Sequence, residues 1–205
     1  MSTDLDTAAL TPLELWYDFA SPYAYLAASR IEGLIADKPI RIVWKPFLLG
    51  PIFKRRSSNP SPFQEAGPDE ARYRRRDVER HCKLYGLPLT WPSVYPRGSL
   101  LAARMALVAA DEDWCGAFTR AVYRASFAED RDIASAPVIA QILDALGRSP
   151  TSNLLRANAP ENKARLVART DEAIAKGIFG APSFVIDGEL FWGNDRLEQA
   201  IAWRG

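Results

Sequence analysis

The 205-residue sequence predicts an α/β fold: one four-stranded mixed sheet with helices around it and an all-helical domain inserted in its middle. Three observations predict it. A strand pattern, a helix pattern and a second strand pattern fill the first 50 residues, which is the parallel crossover unit. From about Asp69 to about Lys176 the pattern is helical almost throughout. After Gly180 it returns to two short strands and a closing helix. Folding the two ends together places residues 12–50 and 159–205 in one discontinuous domain and 51–158 in the insertion.

Each element has its own signal. Residues 1–11 read as a loose arm. Leu13 to Phe19 (LELWYDF) is a short apolar and aromatic run, as expected of a buried strand. Ser21-Pro22 follows at once: serine is a good N-cap and proline suits the first helical position. Ala24, Leu26, Ala27, Ile31, Leu34 and Ile35 then recur at helical spacing. Ile40 to Phe47 (IRIVWKPF) alternates as a second strand that ends at Pro46. Residues 48–70 are rich in Pro, Gly and Ser and read as a long loop of the kind that carries function. Helices are expected at 70–85, 99–110, 114–127, 136–146, 151–157 and 160–176, with Ser135, Pro137 and Gly147 punctuating the fourth. Pro182–Ile186 and Leu190–Trp192 are strands joined by an Asp187-Gly188 hairpin turn, and a short helix closes the chain from Asn194.

Bulk composition narrows the function. With 26 basic and 25 acidic residues the net charge is +1, which gives no reason to expect a nucleic-acid partner or an anionic membrane surface. No apolar run approaches the roughly 20 residues of a membrane helix. The opening MSTDLDTAAL carries two acids and no base, unlike a secretory signal, so the cytoplasm is the expected location. Cys82 and Cys115 lie far apart and form no CxxC, so a disulfide framework and a zinc knuckle are not expected, and both read as reduced core thiols.

Three spots carry possible chemistry. Ser21 sits at a strand-to-helix turn, where free N–H groups and the helix dipole favour negative charge. Its hydroxyl can cap the helix, or hold an anion or thiolate there. The Phe179-Gly180-Ala181-Pro182 segment reads as an edge proline after a glycine turn, or as backbone left free to pair with an extended ligand. Asn194 and Asp195, after Gly193, suit an N-cap and a first turn, or a clamp for a carboxylate and an ammonium. By spacing alone the plain capping and turn roles are the commoner. His81, the sole histidine, is expected on a helix face, and the arginines at 72, 74, 75, 76 and 80 on a solvated one. Those arginines, and Lys54, Arg55 and Arg56 in the long stretch, could instead hold an anionic substrate.

Taken together, DFASPYAYLA at 18–27, LYGLPLTWP at 84–92 and FGAPSFVIDGELFWGNDRLE at 179–198 resemble the 2-hydroxychromene-2-carboxylate isomerase family. That family is related to kappa-class glutathione transferases and to bacterial disulfide oxidoreductases, and the likeness runs from about Leu13 to Trp203. It implies a thioredoxin-like fold. Ser21 and Ala24 stand where the oxidoreductases carry Cys-x-x-Cys, so dithiol chemistry is not expected. The resemblance implies glutathione as cofactor, with Ser21 bonding its sulfur at the start of the helix that continues through Pro22 and Tyr23. It implies a cis Ala181-Pro182 bond with Ala181 backbone against the cysteinyl part. Asn194 and Asp195 would hold the γ-glutamyl end, and Asn59 is a further contact. The implied reaction interconverts 2-hydroxychromene-2-carboxylate and an open-chain benzylidenepyruvate, through thiolate addition, rotation and elimination. The partner would be a small aromatic carboxylate, which Tyr23, Trp91, Trp192, Lys45 or Arg76 would suit. Relatives are often dimers, so a homodimer is expected by analogy. A kappa-like glutathione transferase and a non-enzymatic thioredoxin-fold binding protein remain open beside the isomerase.

Overall fold

The computed structural model describes residues 10–56 and 67–203. Strand β1 (Thr11–Tyr17) is buried on both faces because its side chains alternate between two cores. Leu13, Leu15 and Tyr17 point into the larger core, and Trp16 into a smaller one with Phe47 and Ile178. Helix α1 (Pro22–Ile35) lays Ala24, Ala27, Ala28 and Ile31 on the larger core. Strand β2 (Ile40–Pro46) pairs parallel with β1, from Thr11↔Ile40 to Tyr17↔Pro46.

The stretch read as a long loop is in part a helix. Residues Leu49–Arg56 form α2, whose Leu49 and Ile52 pack on Trp16 and Phe47. The local Pro and Gly content predicted no helix, and tertiary burial of two aliphatic side chains overrode it. Among the described residues the helices that follow are α3 (Pro68–Tyr85), α4 (Leu100–Ala110), α5 (Cys115–Phe127), α6 (Ala136–Ala145), α7 (Pro150–Asn158) and α8 (Pro160–Ala175). Apolar around most of its circumference, α4 is buried among α5, α7 and α8. Gly147 follows α6 at φ 68°, a left-handed turn that suits glycine.

Strands β3 (Ser183–Ile186) and β4 (Glu189–Trp192) join the first two in a single sheet of order β2-β1-β3-β4. β3 runs antiparallel to β1, with Leu15 opposite Phe184, and the hairpin turn places Asp187 at φ 49° and Gly188 at φ 80°. The expected mixed sheet is therefore present. A 3₁₀ turn (Asn194–Arg196) and α9 (Leu197–Ala202) close the chain against α1. Here the residue preceding the turn, Gly193 at φ 114°, takes the N-cap position expected of Asn194.

Candidate functional site

The end of β1, the start of α1 and the turn before β3 meet at one cleft of about 1300 Å³. Ser21 caps α1 from an extended conformation (φ −87°, ψ 117°), its Oγ accepting the Ala24 N–H at 3.2 Å. The same hydroxyl donates to the Ala181 carbonyl at 2.9 Å, across 160 residues of chain. The Ala181-Pro182 bond is cis, as is Tyr95-Pro96. Among the described residues the Ala181 N–H has no hydrogen-bond partner. Gly193 N–H bonds the Pro182 carbonyl at 3.0 Å, tying the third spot to the second.

All three sequence-selected spots thus come together, but their side chains do different things. Asn194 is only 2% exposed: its amide donates to the Tyr85 hydroxyl at 3.3 Å and its oxygen accepts from Arg30 at 3.3 Å. It fastens the 3₁₀ turn to α1 and α3. Asp195 is exposed at the rim, with Arg196 3.5 Å away. The side chain of Trp192 lies over Gly180, where a Cβ would come within 2.9 Å of its Cε2, and rests on Phe179 at 4.7 Å. Asn59 lies outside the described residues. Of the residues thought suited to an aromatic acid, Tyr23 and Trp192 line the cleft. Lys45 is instead held by Glu14 and Glu172, Arg76 pairs with Glu79, and Trp91 packs on Tyr95. The α3 arginines at 72, 75, 76 and 80 form ion pairs within the helix, while Arg74 also lines the cleft.

The sequence includes Asp18 in the first spot, Asp18 to Tyr23, but assigns it no role. Its carboxylate is buried in the cleft wall and accepts N–H groups of Ala20 at 2.9 Å and Leu49 at 2.7 Å, with the Ser99 hydroxyl as a third donor. Burial raises its pKa against the lowering by these bonds. Burial, with the Asp18 charge as a further cause, also pushes up the Tyr95 phenol. Nor did sequence place Asp77 and His81 together with Tyr23 in this cleft; only the i, i+4 spacing of Asp77 and His81 hinted at it. Among the described residues no group of three His, Cys, Asp or Glu could hold a metal ion, and no helix is long and apolar enough to cross a membrane. Cys82 and Cys115 are both buried, away from the cleft, and burial lifts each thiol to about 11.

The DSBA-like thioredoxin domain matches residues 12–201. The chain belongs to the DSBA-like thioredoxin family. Within it, this DSBA-like chain is 28% identical over 190 residues to 2-hydroxychromene-2-carboxylate isomerase of Pseudomonas putida, with 90% of each chain covered. It is 27% identical over 211 residues to glutathione S-transferase kappa 2 of Caenorhabditis elegans, covering 91% of this chain and 88% of that one. A solved structure of 2-hydroxychromene-2-carboxylate isomerase matches with a TM-score of 0.83 at 25% identity, covering 92% of this chain and 91% of the other.

Proposed function

We propose that this protein is a glutathione-dependent isomerase interconverting 2-hydroxychromene-2-carboxylate and trans-o-hydroxybenzylidenepyruvate. The observation that carries the reading is a serine, not a cysteine, at the start of α1, bonded to the residue before a cis-proline in a cleft that contains no thiol. A sulfur nucleophile at that place has to be brought in. When bound, glutathione supplies a thiolate able to add reversibly to a conjugated alkene.

The residues present fit such a tripeptide. The unpartnered Ala181 N–H offers main-chain pairing to an extended peptide. The amide of Tyr23, in the first turn after Pro22, has no intrahelical acceptor and adds to the positive end of α1. Asp195 at the rim offers a carboxylate to an ammonium, and the buried Asn194 fixes the turn that carries it. The cleft volume exceeds the 300–1,000 Å³ range of single small-ligand pockets and leaves room for a second substrate. Ser21 has one proton, now directed at Ala181; rotation about its C–O bond redirects it to a sulfur while the lone pair toward Ala24 is kept. The reading assigns 12–50 and 159–205 to the glutathione-holding domain and 51–158 to the helical wall facing it.

Calorimetry with reduced glutathione, followed by absorbance assay of the chromene carboxylate, tests this. We expect binding and glutathione-dependent turnover. Absence of glutathione binding sinks the reading. Binding with conjugation of a simple electrophile but no isomerisation assigns the chain to the kappa-like transferases.

A further inference from the structure

The wall of the cleft formed by α3 carries a row of polar groups that the glutathione reading leaves unused. Tyr23 Oη donates to Asp77 Oδ2 at 3.0 Å. Arg80 takes the other Asp77 oxygen at 3.1 Å. His81 Nε2 stands 3.7 Å from Asp77 Oδ2, one helical turn on. The His81 ring is stacked on Tyr85 at 5.4 Å and 25°. Tyr85 is itself fixed by the Arg30 guanidinium 3.7 Å from its ring centroid and by Asn194. Tyr23, Asp77 and His81 all line the cleft, and the His81 side chain is 27% exposed.

The hydrogen-bonding capacity left over selects a ligand class. Tyr23 has its only proton committed to Asp77, so its oxygen faces a ligand as an acceptor. Burial first, and then Asp77, push the phenol well above its ordinary value, so the proton stays. Among the described residues no hydrogen bond is made by His81 Nδ1, which leaves one imidazole nitrogen to act as donor or acceptor. A carboxylate needs donors only, whereas Tyr23 and Asp77 present acceptor oxygens here. A hydroxyl, with one proton and two lone pairs, matches an acceptor beside a nitrogen that can play either part.

We propose that the row Tyr23–Asp77–His81 is the subsite for a phenolic hydroxyl on the second substrate, with Asp77 as the positioning residue. This rests on the isomerase reading, in which the open-chain form carries a hydroxyl ortho to its alkene chain. The Tyr23 side chain then serves the aromatic partner, while its backbone serves the start of α1.

The test compares trans-o-hydroxybenzylidenepyruvate with trans-benzylidenepyruvate, which lacks the hydroxyl, as ligands of the glutathione-loaded protein. The wild type should favour the hydroxylated compound by about tenfold, the scale of one or two buried hydrogen bonds. Tyr23→Phe and His81→Phe should each shrink that preference, and the double variant should bring it to about twofold or less, with glutathione affinity kept within about twofold as evidence of intact folding. Equal binding of both compounds by the wild type, failure of either to bind, or a preference that survives in the double variant overturns the proposal. Weakened glutathione binding with the preference intact also overturns it, and assigns the row to the glutathione side. If the preference is present and responds to both variants but the wild type catalyses no interconversion, the subsite stands and the isomerase reading falls.

Discussion

Among the described residues two helices begin with the same dipeptide, and only one of these two starts lines the large cleft. Ser21-Pro22 opens α1 and Ser149-Pro150 opens α7. Both serines adopt extended backbone, with ψ 117° and 115°, and both put proline in the first turn. Ser149 is exposed and its side chain makes no capping bond. Ser21 is 6% exposed, caps Ala24 and reaches Ala181 on the far side of the sequence. The dipeptide specifies a helix start; what faces it decides whether that start is buried against another part of the chain.

Ser21→Ala is the change expected to separate the two most. Loss of one hydrogen bond to a charged sulfur, about 1.5–3 kcal/mol, should raise the pKa of bound glutathione by about 1–2 pH units and cut turnover at neutral pH about 10–100-fold. Glutathione binding should persist. Thiolate absorbance titration of the loaded wild type and variant measures it. An unchanged thiol pKa would erase the functional difference between the two serines.

Asp18→Asn probes the support beneath Ser21, because Asp18 joins the β1–α1 turn to α2 and to Ser99. An amide there cannot accept from all three donors, so unfolding free energy should drop by about 1–3 kcal/mol in denaturant titration near neutral pH. The sign with pH is also fixed. A carboxyl raised in the folded state favours folding while protonated, and that contribution is lost as pH rises from the ordinary value of 3.8 through the raised folded one. The stability of wild type relative to Asp18→Asn should therefore decline upward through that window. A difference that grows with pH there would contradict the burial argument.

Ser149→Ala should change stability by about 0.5 kcal/mol or less, since no side-chain cap is lost, and activity not at all. Thermal melts and the isomerase assay check both. The smallest effect is expected of the thiols. Both are buried with pKa near 11, so neither should be alkylated in the folded protein at pH 8 by intact-mass measurement. Insulin reduction should be absent with or without Cys82→Ser and Cys115→Ser.

The sequence by itself determined the order of elements, because the signals are local. The apolar and aromatic run Leu13 to Phe19 marks β1, Ser21-Pro22 marks the start of α1, and Asp187-Gly188 marks the hairpin, each through the conformational preferences of a few adjacent residues. It also singled out Ser21, Ala181-Pro182 and Asn194-Asp195, which the fold brings to one cleft. Helix α2 escaped it, since Leu49 and Ile52 gain from burial against Trp16 and Phe47, which lie outside the segment. Only the tertiary structure decided that Asn194 turns inward to Tyr85 and Arg30, that Asp18 is a buried anchor and that Tyr23 meets Asp77 beside His81. Most of these are contacts across tens to hundreds of residues. Their strength depends on burial and on what other donors and acceptors stand opposite, and neither is encoded in the neighbours along the chain.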